Sequence, residues 1–231
     1  KEAQAVRESL LQQGHVQYVE RADALYLPEA IGLQAQVSAL AGSSSPLRWL
    51  EDINAGDLTA LGSGQGAVVA VVDTGIDLGN DRLSSQVWIN ADERPDNGLD
   101  DDGNGYVDDQ NGWNFGEGDH KVQDLQGHGT LVSFIIRTLA PEARLIPLKV
   151  NQGRKTMFSM GDVVQAMYYA VNAGADVINL SFSGADYSPS LDRAVQDADP
   201  AALSPLSLSE RVPLAVVAVC QPHAARFEDA V

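Results

Sequence analysis

The chain predicts an α/β fold: a doubly wound, mostly parallel sheet with helices on both faces, preceded by a small N-terminal α+β segment. Three observations carry this expectation. Short apolar runs rich in β-branched residues recur, at AVVAVV (67–72), RLIPLKV (144–150), DVINLSF (176–182) and VPLAVVAV (212–219). Each is short for a helix and too continuously apolar for a strand with one wet face, as expected of strands covered on both sides. Stretches with helical spacing lie between them, and strands alternating with helices build parallel sheets.

The 231 residues, 44% of them hydrophobic, suffice for one large domain, or one domain with a small appendage. Acidic residues outnumber basic ones 32 to 15, and the net charge of −17 disfavours nucleic acid and anionic membrane surfaces as partners. No apolar run reaches the roughly 20 residues of a membrane span. Cys220 is the single cysteine, which excludes an internal disulfide framework. The numbering opens on Lys1 with no signal peptide, so it is expected to begin at a processed or trimmed end.

Residues 1–28 form the N-terminal segment. VRESLLQQG (6–14) predicts a short helix closed by Gly14, and HVQYVERADALYLP (15–28) alternates as a half-buried strand does. Residues 29–47 are small and weakly charged, end in a serine run before Pro46, and predict a linker. The main domain spans 48–231. Asp57 is placed to cap a short helix before the glycine-rich GSGQG (62–66). That turn precedes its strand, so it cannot present phosphate to a helix N-terminus, and a nucleotide-binding reading has little support.

The first buried strand ends in Asp73-Thr74-Gly75. A carboxylate at the carboxyl end of a parallel strand stands where open α/β sheets place functional groups, and it needs a cation or donor opposite it. On this stretch alone, capping the turn accounts for Asp73 equally well. Downstream, DNGLDDDGNGYVDDQNG holds six aspartates and four glycines between Asp96 and Gly112. Asp100, Asp102, Asn104 and Asp108 stand at relative positions 1, 3, 5 and 9, with Gly105 at 6. Oxygen donors on alternate residues around a glycine turn suit a hard cation such as calcium. Position 12 is Asn111 where a full EF-hand has glutamate, and a solvated acidic loop is the other reading.

Gly127-His128-Gly129-Thr130 opens a helix, LVSFII and beyond. The stretch from Met160 predicts another, with Val163, Val164, Met167, Ala170 and Val171 on one face and an end near Gly174. SPSLDRAVQDA (188–198) gives a third, with Ser188 as candidate N-cap.

Asp73-Thr74-Gly75-Ile76-Asp77, Gly127 to Thr130, and VINLSFSG (177–184) together resemble the subtilisin-like serine protease family, over roughly Trp49 to Val219. The resemblance implies peptide-bond hydrolysis, with aspartate, histidine and serine in that chain order. Asp73 would orient the histidine and His128 would be the general base. Ser181, Phe182, Ser183 and Gly184 would edge the cleft for a peptide or protein substrate. It further implies calcium in the acidic loop, secretion, and an inhibitory propeptide. Residues 1–28 resemble the end of such a propeptide, so an intramolecular contact is expected; an ordinary extension packed on the domain fits them too.

The chain also departs from the family. It contains no Gly-Thr-Ser for the nucleophile, and Ser188, Ser190, Ser204, Ser207 and Ser209 lie in crowded, proline-containing stretches. Cys220-Gln221-Pro222-His223 follows the last strand where the family carries Gly-Asn for the oxyanion hole. The expectation is a C-terminally incomplete catalytic domain without its nucleophile, inactive alone. The alternative is a non-catalytic, calcium-stabilised relative that binds peptides.

Overall fold

A computed structural model of the chain describes residues 24–26, 62–182, 188–198 and 215–218, with Glu8 and Gln12. In chain order the elements are β1 (Ala24–Tyr26), β2 (Val68–Asp73), α1 (Asp81–Ser84), β3 (Trp113–Asn114), α2 (His128–Leu139), β4 (Arg144–Lys149), β5 (Met157–Ser159), α3 (Met160–Asn172), β6 (Val177–Leu180), α4 (Pro189–Ala198) and β7 (Ala215–Ala218). The linker 29–47, the Asp57 helix, most of the 6–14 helix and the chain beyond β7 lie outside the described residues, as do Ser183 and Gly184.

Five strands form one parallel sheet in the order β3-β4-β2-β6-β7. The fold is the doubly wound α/β arrangement that the apolar runs predict. β2 lies at its centre, and its side chains alternate between two cores. Val69 and Val71 face the cluster that α2 closes with Val132, Phe134 and Ile136. Ala70 and Val72 face the cluster that α3 fills with Val163, Ala166, Met167 and Ala170. Each buried valine contributes on the order of 1.5–3 kcal/mol relative to exposure, so helices on both faces hold β2 in register.

The chain leaves β2 through α2 to β4 on one side, then crosses through α3 to β6 on the other. The strand order therefore reverses at β2, and the crevice outside the carboxyl ends at such a switch point is where α/β sheets bind ligands. Asp73, the last residue of β2, stands there.

α3 starts at Met160, where its pattern begins, and the Ser159 hydroxyl caps it by accepting from the Gly161 N–H at 3.1 Å. Its end is the expected one: Gly174 takes φ +78°, the left-handed conformation that closes helices. Ser188 accepts from the Leu191 N–H at 3.1 Å, the N-cap bond anticipated for α4. β1 falls within the strand expected over 15–28, and its partner is new. β1 pairs antiparallel with β5, Leu25 opposite Phe158, and the Leu25 side chain is buried among the residues of the α3 core.

Candidate active site

The β2 end and the α2 start meet through two glycines. A Cβ on Gly129 would collide with the Gly75 carbonyl and press on Asp73, and one on Gly75 would collide with the Val122 carbonyl. With both glycines in place, the His128 Nδ1 sits 2.8 Å and 2.9 Å from the two Asp73 carboxylate oxygens. Asp73 is fully buried and His128 is 7% exposed. Asp73 also accepts from the Thr74 N–H at 2.7 Å. A carboxylate on Nδ1 fixes the tautomer with its proton there, leaving Nε2 to accept one.

The helix start is held by side chains from three directions. Gln126 Oε1 accepts from the His128 N–H at 2.8 Å, Thr74 Oγ1 from the Gly129 N–H at 2.9 Å, and Asp124 Oδ2 from the Thr130 N–H at 3.0 Å. Asp124 accepts in addition from the Thr130 hydroxyl and from the Gln126 and Gly127 N–H groups. The amides that a helix N-terminus leaves without backbone partners are thus spent on orienting the histidine. The sequence reading passes over Asp124, although an aspartate just ahead of a glycine-started helix is a capping signal.

Electrostatics follow from this packing. Burial pulls His128 down, but the Asp73 hydrogen bond and charge, with Asp124 behind them, outweigh it and hold the imidazole above its usual value. Burial pushes the Asp73 carboxyl up against the downward pull of His128 and the Thr74 amide. The pair therefore keeps a proton to higher pH than an isolated histidine would.

Ser181 and Phe182 follow β6 and are both buried. The Ser181 hydroxyl accepts from Asn179 at 2.8 Å, and the Phe182 ring meets Phe158 of β5 edge-on at 5.1 Å. That places the start of the expected substrate edge beside the strand on which β1 lies.

In the acidic loop, carboxylate oxygens of Glu93, Asp100 and Asp102 lie within 4.8 Å of one another. Glu93 is 4% exposed, and while its Oε1 accepts from the Asp101 and Asp102 N–H groups, its buried Oε2 has no hydrogen-bond partner. A buried, unsatisfied carboxylate oxygen beside two more carboxylates fits a hard cation. Asp100 and Asp102 are brought together as their spacing suggests. The Asn104 amide instead donates to Asp102 and Asp109, and Asp108 turns away to accept from the Asn97 and Gly98 N–H groups. Glu93 enters from outside the repeat, where spacing gives no signal.

A buried carboxylate holding a histidine at the switch point of a parallel sheet is an arrangement in which the imidazole can take up and release a proton. The chain belongs to the subtilase family, whose profile matches residues 64–219. It is similar to Subtilisin-like protease 1 of Plasmodium berghei (strain Anka), with 28% identity over 157 residues, covering 62% of this chain and 26% of that one. The Major intracellular serine protease of Bacillus subtilis (strain 168) is 29% identical over 156 residues, 63% of this chain and 43% of the relative. Among solved structures, fervidolysin from Fervidobacterium pennivorans, described as a keratinolytic enzyme related to subtilisin, superimposes with a TM-score of 0.45 at 21% identity. That match covers 61% of this chain and 20% of the other. The chain spans about a quarter of the length of the Plasmodium berghei relative. No helix among the described residues is long and apolar enough to cross a membrane.

Proposed function

We propose that the chain carries the aspartate and histidine of a subtilisin-like serine endopeptidase, with a calcium ion held by its acidic loop. The observation that carries this reading is the contact of Asp73 with His128 at the sheet's switch point. In peptide hydrolysis His128 Nε2 takes the hydroxyl proton as the serine attacks the scissile carbonyl, then returns it to the leaving amine. Asp73 keeps Nδ1 protonated and stabilises the imidazolium that forms. The substrate is an extended peptide along Ser181 to Gly184, and the support for a strand-like substrate is local. β1 already lies on neighbouring β5 by antiparallel pairing, and Leu25 sits in a cluster with Phe158 and Phe182. Residues 1–28 act as an inhibitory segment on that edge in the same reading.

Glu93, Asp100 and Asp102 are the residues that would hold calcium, which supplies positive charge to carboxylates that otherwise repel one another. Secretion is a separate proposal, since the Bacillus subtilis relative is named as intracellular; fractionating the producing cells decides it.

The 231 residues contain no Gly-Thr-Ser, so this chain by itself is expected to hydrolyse peptides and esters negligibly. Subtilisin, the handiest reference, loses on the order of a millionfold in turnover without its serine. A serine-directed phosphonate should leave the purified chain unlabelled. A stoichiometric adduct at Ser188, Ser190, Ser204, Ser207 or Ser209 would reveal an unconventional nucleophile and overturn the expectation of inactivity. In extracts of the producing cells the phosphonate should label the polypeptide that contains His128, or a chain bound to it. No label there would favour the non-catalytic peptide-binding relative.

A further inference from the structure

β4 ends on Lys149, which is 1% exposed and stands opposite Asp73 in the sheet register. Its ammonium donates to the Thr74 carbonyl at 3.2 Å, to Asn151 Oδ1, and to the Gly153 carbonyl at 3.5 Å. These are three acceptors for three protons, and all three are neutral. Among the described residues no carboxylate lies within ion-pair distance of it. Burying an ammonium without a contacting counter-ion is costly, and an apolar side chain of similar length would fill the space more cheaply. Burial pushes Lys149 down, while Asp124, Glu117, Asp119 and Asp73 act at longer range to push it up.

The carbonyl that Lys149 holds belongs to the residue whose hydroxyl accepts from the Gly129 N–H and whose own N–H binds Asp73. The lysine is therefore fastened to the turn that presents Asp73 and steadies the start of α2. His128 faces two carboxylates, Asp73 and Asp124, both of which favour its cationic form. A general base has to be neutral when it receives its proton.

We propose that Lys149 is a positioning residue of this pair. Its ammonium clamps the Asp73-Thr74-Gly75 turn to the 151–153 segment and supplies a positive charge that limits how far the two carboxylates favour the cationic form of His128. The inference rests on Asp73 and His128 being the reacting pair. A lysine kept only for packing would account for the clamp and leave the histidine's charge untouched.

The test is the titration of the His128 ring, followed by NMR in the full 231-residue chain and in Lys149→Met, Lys149→Arg and Asp73→Asn. The midpoint should rise in Lys149→Met by on the order of one pH unit, the effect of one charge roughly 10 Å away through an effective dielectric of about 20. It should stay near the parent value in Lys149→Arg and fall in Asp73→Asn. A fall in Asp73→Asn with no rise in Lys149→Met overturns the role given to Lys149 and leaves the pair intact. No change in Asp73→Asn overturns the pair itself. Should Lys149→Met fail to fold, the parent chain with carbon-13-labelled lysine answers the question. The Lys149 Cε signal should remain that of an ammonium through the whole His128 titration, and deprotonation together with His128 or below it would sink the proposal.

Discussion

The contact between Asp73 and His128 exists because Gly129 has no side chain. Gly129→Ala would drive a methyl into the Gly75 carbonyl, and the Asp73 Cβ and Oδ1 would each be 3.2 Å away. A backbone carbonyl in a tight turn cannot swing aside, so the helix start has to retreat. The expected loss is about 1–3 kcal/mol in urea unfolding, and the His128 midpoint should drift back toward 6.5 as its partner recedes. A variant as stable as the parent would mean that the two backbones approach less closely than described. The pair also sets a pH dependence with a definite sign. His128 is held above 6.5 in the folded chain, so the folded state binds its proton more tightly than the unfolded one. That stability is fully present below about 6.5 and is lost as pH rises through the higher folded value. The urea midpoint should therefore fall across that window, and Asp73→Asn should flatten the fall.

At the scale of elements, the docking of β1 on β5 is the contact most open to perturbation, since three residues of strand are not stable by themselves. Leu25 supplies its buried side chain, 2% exposed against Phe158 and its neighbours. Leu25→Asp would put a carboxylate there with no cation to meet it, and the strand should lift off. Hydrogen exchange should then lose protection at β5 while β2, inside the main sheet, keeps it. Equal loss in both would show that β1 is part of the global fold instead of a docked segment. The same contrast explains what could be read from the sequence. β2, β4 and β6 were legible because strands covered on both faces are continuously apolar, and β7 carries the same kind of run in its sequence. β1 falls within the strand expected over 15–28, but its partner could not be read, because β5, like the four-residue α1, carries too few residues for any periodicity. The meeting of Asp73 with His128 was legible because glycines flank the histidine and Gly75 stands two residues past the aspartate. Glu93 was not, because it reaches the acidic loop only once the 93–102 segment has folded back on itself.

At the scale of the molecule, the acidic loop is part of the core it overlies. Asp109 is fully buried and accepts from the Tyr169 hydroxyl of α3 at 2.6 Å, from Asn90 and from Asn104. Burial and this carboxylate together push the Tyr169 phenol far above its usual range, so it stays a donor. Tyr106, at the end of the loop, packs edge-on against Trp113, Phe115 and Tyr169. An ion bound by Glu93, Asp100 and Asp102 is thus tied to α3, and its binding energy should stabilise the whole fold. At calcium about a hundred times its dissociation constant the gain is roughly 2.7 kcal/mol, or about 5–10 °C in Tm for a chain of this size. A net charge of −17 complicates the reading, since any salt relieves self-repulsion. The control is sodium chloride at matched ionic strength, which screens the surface but does not bridge three carboxylates. Glu93→Gln should abolish the calcium-specific increment and keep the sodium response. Asp108→Asn should retain the increment, because that carboxylate is engaged with the Asn97 and Gly98 N–H groups. An identical Tm in millimolar calcium, in chelator and in matched sodium chloride would remove calcium from this protein, and the buried Glu93 oxygen would then need another partner.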